Sequence, residues 1–200
     1  MTEDPRPWRE PDDGFRALVT DRLTIRRFGV ADVPAFAAYR SIPQVARYQS
    51  WDTPFGEERA RRFVASLATS HPDTPGEWYQ FAVTETSSGR LLGDLAAAPE
   101  SDHRLVRIGF TLAPHAQGRG FASEAVTALL DYLFHTRGKH RVAADCDPRN
   151  LASVALLERI GMRREAHHLR SVWWKGEWTD ELLYAVLADE WSVRRPELRG

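Results

Sequence analysis

The sequence predicts a mixed α+β fold in a single domain, and three observations predict it. Short runs rich in aromatic and β-branched residues recur with period two, as at Trp78 to Thr84 and Leu105 to Leu112. Apolar stripes of period 3.6 alternate with them, as at Phe63, Val64 and Leu67 and again at Ala125, Val126, Leu129, Leu130 and Leu133. The 200 residues, 42% hydrophobic and 28% charged, suit one compact domain with a core of its own. That balance excludes bulk disorder, collagen-like repeats and a membrane bundle.

Taken in order, residues 1–16 are rich in Pro, Asp and Arg without periodicity and predict a loose arm. Residues 17–191 predict the folded domain, and 192–200 a short tail. Leu18, Val19, Leu23 and Ile25 predict a first strand, after which Asp32 is placed to cap a helix with Pro34 in its opening turn. A short helical piece over Gln44 to Tyr48 and a longer helix over Glu57 to Thr69 follow. Trp78 to Thr84, the Ser87-Ser88-Gly89 turn and Leu91 to Ala97 read as a hairpin. Leu105 to Leu112 is a central strand closed by Ala113-Pro114, and a glycine loop then opens an apolar helix from Phe121 to Thr136. Arg141 to Cys146 is a strand, Asp147 to Asn150 starts a helix ending near Gly161, and residues 166–187 make a last hairpin turning at Lys175-Gly176.

Composition limits function. With 27 Lys plus Arg against 28 Asp plus Glu, the net charge of −1 argues against a nucleic-acid protein relying on a positive field. Cys146 is the single cysteine, so neither an intramolecular disulfide nor a cysteine zinc site is expected. His103, His115, His135, His140, His167 and His168 show no metal-ligand spacing, and no metal is expected. The first residues lack a signal-peptide core, and no apolar run approaches the roughly 18 residues a membrane helix needs. A cytoplasmic protein with no membrane partner is the expectation.

The sharpest local feature is Gln117-Gly118-Arg119-Gly120-Phe121-Ala122, between an apolar strand and an amphipathic helix. Two glycines remove Cβ obstruction, so successive N–H groups can turn toward one anion, and the helix adds its positive end. A strand-to-helix turn also needs glycine for geometry alone, so the hexad by itself leaves both readings open. There is no G-x-x-x-x-G-K-[ST], so a nucleoside triphosphatase loop is not supported. Ser123 stands where a dinucleotide fingerprint needs its third Gly or Ala.

On these residues the chain resembles the GNAT superfamily of acyl-CoA-dependent N-acyltransferases, whose Arg/Gln-x-x-Gly-x-Gly/Ala signature is met by Gln117, Gly120 and Ala122. It is similar to the Rim-type branch, which acetylates ribosomal-protein N-termini. The matching residues are Ile108-Gly109-Phe110, Ser123-Glu124-Ala125, Asn150 with Ser153, and Glu158 through Met162. The resemblance implies a mostly antiparallel sheet, flanked by helices and splayed between Ile108–Leu112 and Arg141–Cys146, with acetyl-CoA as cosubstrate in the cleft. It implies that N–H groups of Gln117, Gly118, Arg119, Gly120, Phe121 and Ala122, with Ser123 beside them, take the pyrophosphate. The backbone of Phe110, Thr111 and Leu112 pairs with pantetheine, and an N–H there polarises the thioester carbonyl.

The same resemblance implies direct attack of a primary amine on the thioester, without an acyl-enzyme. Ser153 is the expected catalytic donor to the departing thiolate, and Asn150 the expected pantetheine partner, although Asp147 to Asn150 also reads as a turn and cap. Many members of the branch carry Glu before the Ile-Gly-aromatic triplet, where this chain has Arg107. Asp94, Asp145 and Asp147 are the carboxylates left near the cleft, and the base stays unassigned. Trp51, with Tyr48 and Gln49, and the Trp173, Trp174 and Trp178 group are expected either near the acceptor or in core packing, and an exposed cluster would instead mark a dimer surface. The expected acceptor is a peptide N-terminus. A small amine, an amino sugar antibiotic or a non-catalytic acyl-CoA sensor are the alternatives, in a monomer or a homodimer.

Overall fold

In the computed structural model, residues 14–194 are described. The parts of the expected arm before residue 14 and of the expected tail after residue 194 lie outside them. Phe15, within the stretch expected as an arm, packs on Phe81 and Tyr132 with ring centroids 4.7 and 5.4 Å away.

Eight strands form one sheet in the order β1-β2-β3-β4-β5-β6-β8-β7. They are β1 (Leu18–Val19), β2 (Leu23–Arg26), β3 (Tyr79–Glu85), β4 (Leu91–Pro99), β5 (Leu105–Leu112), β6 (Arg141–Cys146), β7 (Arg163–Trp174) and β8 (Glu177–Leu187). Every junction is antiparallel except β5 with β6, which a helical crossover makes parallel. Six helices accompany them: α1 (Val33–Arg40), α2 (Pro43–Ala46), α3 (Glu57–Thr69), α4 (Phe121–Asp131), α5 (Leu151–Arg159) and α6 (Ala188–Arg194). The fold is the mixed α+β arrangement expected, and among the described residues no helix is long and apolar enough to cross a membrane.

The core follows from the patterns. All nine residues of β4 are buried, as befits a central strand covered on both faces. Helix α4 buries Phe121, Ala125, Val126, Leu129 and Leu130, and α3 buries Ala60, Val64 and Leu67, each a single helical stripe. Helix α1 reaches the β4 face that carries Asp94, whereas α5 meets the opposite face, where Tyr184 donates to Glu158 (3.0 Å).

Three local expectations are revised. The first strand is two, because Thr20 N–H donates to the Leu23 carbonyl (2.9 Å) and its hydroxyl accepts from Leu23 N–H (3.0 Å), reversing the chain. Asp32 does not cap α1; its carboxylate accepts from Gly29 N–H (2.8 Å) and from Arg26 (2.7 and 2.9 Å). The helix expected through Thr136 is α up to Asp131, then one wide π turn closed by Arg137 N–H to the Tyr132 carbonyl (3.0 Å).

The decisive feature is where β5 and β6 stop pairing. Their register covers only Leu105 with Arg141, Val106 with Val142 and Arg107 with Ala143. Beyond these, Ile108–Leu112 and Ala144–Cys146 diverge and open a wedge.

Candidate active site

The glycine loop sits past the end of β5, at the top of this wedge. Gly118 and Gly120 hold φ of +70° and +78°, conformations that a side chain disfavours, and Gly120 is the N-cap of α4. The N–H groups of Gly118, Arg119, Gly120, Phe121, Ala122 and Ser123 meet no acceptor among the described residues. For the last three this is the ordinary orphan state of a helix start. Left-handed glycines allow the earlier N–H groups to turn toward the same side, and with the helix dipole such a turn suits an anion.

Gln117 differs from the expectation. Its N–H already closes a turn onto the Pro114 carbonyl (3.2 Å), so it is not among the free donors. Its side chain donates to the Leu112 carbonyl (2.9 Å) and pins the loop to the end of β5.

A second brace was not legible in the sequence. The Arg22 guanidinium donates to the Arg119 carbonyl (3.0 Å) and pairs with Glu124 (2.6 Å), and it lies 4.6 Å over the Phe121 ring. Thr20 also donates to Glu124 (2.5 Å). Burial raises the Glu124 carboxyl, but these hydrogen bonds outweigh it and hold the group below its usual range. Glu124 is therefore a structural tie at the helix start. Arg119 lies over the same ring (4.8 Å) with no carboxylate in ion-pair reach among the described residues.

Below the loop, β5 offers a free edge. The ladder bond from Ala113 N–H to the Leu92 carbonyl (2.8 Å) sets the alternation along the strand. Two residues back, Thr111 turns its main chain toward β4, so the expected backbone pairing through Thr111 does not hold. Only its buried side chain faces the cavity. Phe110, and the N–H of Leu112, remain for an extended ligand lying along the wedge.

The wedge continues into a cavity of about 480 Å³ whose lining includes Phe110, Thr111, Asn150 and Ser153 and also Arg40, Asp94 and Gln80. Asn150 caps α5, its side chain accepting from Ser153 N–H (3.3 Å). The turn-and-cap reading thus describes Asn150 in this structure, on the cavity wall. Ser153 sits one turn into α5 on the same wall, and its hydroxyl has no partner among the described residues.

Three carboxylates line the cavity. Asp94 is buried and accepts from the Tyr39 hydroxyl and from Arg40 (3.0 Å). Burial, then the Asp94 charge, pushes the Tyr39 phenol well above its ordinary range. Arg40 itself lies 3.9 Å over Trp51 and 4.3 Å over Phe36, a cation enclosed by aromatic faces. Asp147 is forked by the Arg149 side chain (2.6 Å) and accepts Arg149 N–H (2.8 Å). Asp145 is paired with Arg107 across the wedge, which raises the guanidinium's pKa by that hydrogen bond. Cys146 lies beside them; burial, with Asp145 and Asp147 near, pushes its thiol up to about 12, too high to act as a nucleophile.

The cavity is also bounded by the segment after α2 and by the β7–β8 turn. Lys175 donates to the carbonyls of Ala46 and Trp51 (both 2.7 Å), and the Tyr48 hydroxyl to the Arg149 carbonyl (3.2 Å). Trp51, Tyr48, Gln49 and Trp174 line the cavity. Trp173 and Trp178 do not. They are register partners stacked edge to face at 5.5 Å, each 59% exposed on the face away from Trp174, because side chains alternate along a strand.

The family model described as Acetyltransferase (GNAT) domain matches residues 22–163. The chain is similar to the uncharacterized N-acetyltransferase YnaD of Bacillus subtilis, 33% identical over 175 residues, covering 88% of this chain and 99% of that protein. It is 32% identical over 187 residues to the [ribosomal protein uS5]-alanine N-acetyltransferase of Escherichia coli, covering 89% of this chain and 94% of the other. Among solved structures, a GNAT-family acetyltransferase from Bacillus anthracis superposes with a TM-score of 0.80 at 31% identity, covering 88% of this chain and all of that one.

Proposed function

Because the chain belongs to the GNAT acetyltransferase family, a family of acetyl-CoA-dependent N-acetyltransferases, we propose that it acetylates the primary amine of a protein or peptide N-terminus. The observation that carries the cofactor half of this reading is the row of unpartnered N–H groups from Gly118 to Ser123 at the head of the β5–β6 wedge. Those donors match a diphosphate in charge and shape, and the open Phe110 edge below them matches an extended amide-bearing arm. Acetyl-CoA supplies an activated acetyl thioester. The protein's part is to hold it, polarise its carbonyl and manage two protons.

Phe110 N–H and Leu112 N–H, on the open edge, are the donors for charge developing on the carbonyl oxygen. Ser153, with a free hydroxyl on the cavity wall, is the proton donor to the leaving sulfur. Asn150 orients the amide-bearing arm while its Oδ1 caps α5. The likeness to the uS5-alanine N-acetyltransferase supports an N-terminal amine as acceptor, and the aromatic wall of Trp51 and Trp174 supports a side chain beside that amine.

The test is free-thiol release from acetyl-CoA with N-terminal peptides, polyamines and amino sugars as competing acceptors. We expect release with peptides, and Ser153→Ala to lower kcat by roughly 10²-fold with acetyl-CoA affinity unchanged. Preference for a small amine would replace the acceptor named here. Binding of acetyl-CoA without thiol release would make the protein a sensor.

A further inference from the structure

We infer that Asp145 is the carboxylate that receives the acceptor's ammonium group, and that Arg107 is its positioning residue. The inference rests on the amine-acetylation reading above and goes beyond it by naming the group that meets the amine.

Of the three carboxylates lining the cavity, two have both oxygens occupied. Both oxygens of Asp94 are occupied, Oδ1 by the Tyr39 hydroxyl and Oδ2 by Arg40. Both oxygens of Asp147 are occupied by Arg149, through its Nε and N–H at Oδ1 and its Nη2 at Oδ2. Asp145 differs: Oδ1 accepts from Arg107, and Oδ2 has no partner among the described residues. Its side chain is 31% exposed, on the cavity wall.

Its position fits the role. Arg107 and Ala143 are the last register partners of β5 and β6, and Asp145 lies two residues further along, on the same face of the sheet. The Asp145 carboxylate therefore stands where the wedge first opens, and the Arg107 guanidinium reaches across to fix it. The cavity runs from there to Ser153 and Phe110. The charged and titratable groups around it are Arg107 on β5, Cys146 and Asp147 following it, Glu181 on β8 and His168 on β7. Burial first, then the Asp145 charge, raises the Glu181 carboxyl, as expected where negative charge is concentrated.

An N-terminal ammonium has an ordinary pKa of roughly 7.7–8.0, so near neutral pH much of it arrives charged. Asp145 Oδ2 takes a charge-assisted hydrogen bond from it. One proton leaves the nitrogen through Oδ2 to solvent at the cavity mouth. The freed electron pair forms the N–C bond; as the C–S bond breaks, the sulfur leaves with its pair and takes a proton from the Ser153 hydroxyl, which regains one as the nitrogen gives up its second proton to leave a neutral amide.

The experiment compares wild type with Asp145→Asn, Arg107→Lys and Arg107→Gln, measuring peptide acetylation from pH 6.5 to 9 and acetyl-CoA affinity by calorimetry. Asp145→Asn is expected to lower kcat/KM for the peptide by roughly 10²-fold near pH 7 and to leave acetyl-CoA affinity within about twofold. Its deficit shrinks toward pH 9, where the acceptor deprotonates unaided. Arg107→Lys keeps most of the rate, and Arg107→Gln loses about tenfold. The assignment is overturned if Asp145→Asn matches wild type at every pH, if its deficit is independent of pH, or if acetyl-CoA binding falls in proportion to rate. A wild type that acetylates no amine overturns the functional reading as well.

Discussion

Gly120→Ala tests whether the shape of the loop is what holds the diphosphate. At φ +78° an alanine bears a left-handed cost of roughly 1–2 kcal/mol. A Cβ there would also come 3.3 Å from Nη2 of Arg22, tighter than ordinary contact. Arg22 has little room to yield, being held by Glu124 at 2.6 Å and by the Arg119 carbonyl at 3.0 Å. The loop N–H groups from Gly118 to Ser123 make no bonds among the described residues that would oppose relaxation, and only the Gly120 carbonyl, which accepts Glu124 N–H (3.1 Å), ties the residue to α4, so the chain is expected to relieve the strain by turning Gly120 out of its left-handed state. That turns the N–H groups away from one another. At about 1.4 kcal/mol per decade, CoA affinity should fall by about tenfold, with a melting temperature lower by roughly 2–8 °C. Gly118→Ala is the control, with a similar φ of +70° but open space around the added carbon, and should cost less. Calorimetry with CoA reads the affinity and a thermal melt the stability. A Gly120→Ala protein that melts lower yet binds CoA as tightly as wild type would refute the reasoning.

Two further outcomes are expected. Arg40→Met strands Asp94 in the interior with Tyr39 as its remaining partner and should cost roughly 3–5 kcal/mol, a fall of about 6–20 °C in melting temperature; adding Asp94→Leu should recover much of the loss, and no recovery would argue against a buried charge as the cause. The Glu165 carboxyl is pushed down to about 2, first by its hydrogen bond from Arg141 and, against some burial, by Arg163 at 2.7 Å. Its stabilisation is therefore complete above the unfolded value near 4.5 and lost as pH falls toward 2. Glu165→Gln should flatten the fall of the urea midpoint across that window, and an unchanged slope would contradict the assignment.

What could be read from the residues themselves was what neighbours in the chain determine. The α3 boundaries, the β5 run and the glycine loop each announce themselves within a dozen residues, through periodicity or paired glycines. The reversal between β1 and β2 did not, because no Gly or Pro marks it and the Thr20 side chain makes it. Pairings across the fold were equally silent. Arg107 meets Asp145 only through the parallel register of β5 and β6, and Lys175 reaches carbonyls on a segment more than a hundred residues earlier. Asp94, one of the three carboxylates expected near the cleft, proved to be held by Tyr39 and Arg40. The tryptophan-rich hairpin misled because sequence proximity hides strand alternation: Trp174 faces the cavity while Trp173 faces away.

The central claim is that main-chain amides at the head of the wedge grip the diphosphate of CoA, and solvent exchange of those amides, followed residue by residue by NMR with and without CoA, measures it directly. Saturating CoA should slow exchange across Gly118 to Ser123 and leave Gln117, whose N–H already binds the Pro114 carbonyl, nearly unchanged. Unaltered exchange from Gly118 to Ser123 in a protein demonstrably saturated with CoA would contradict the account.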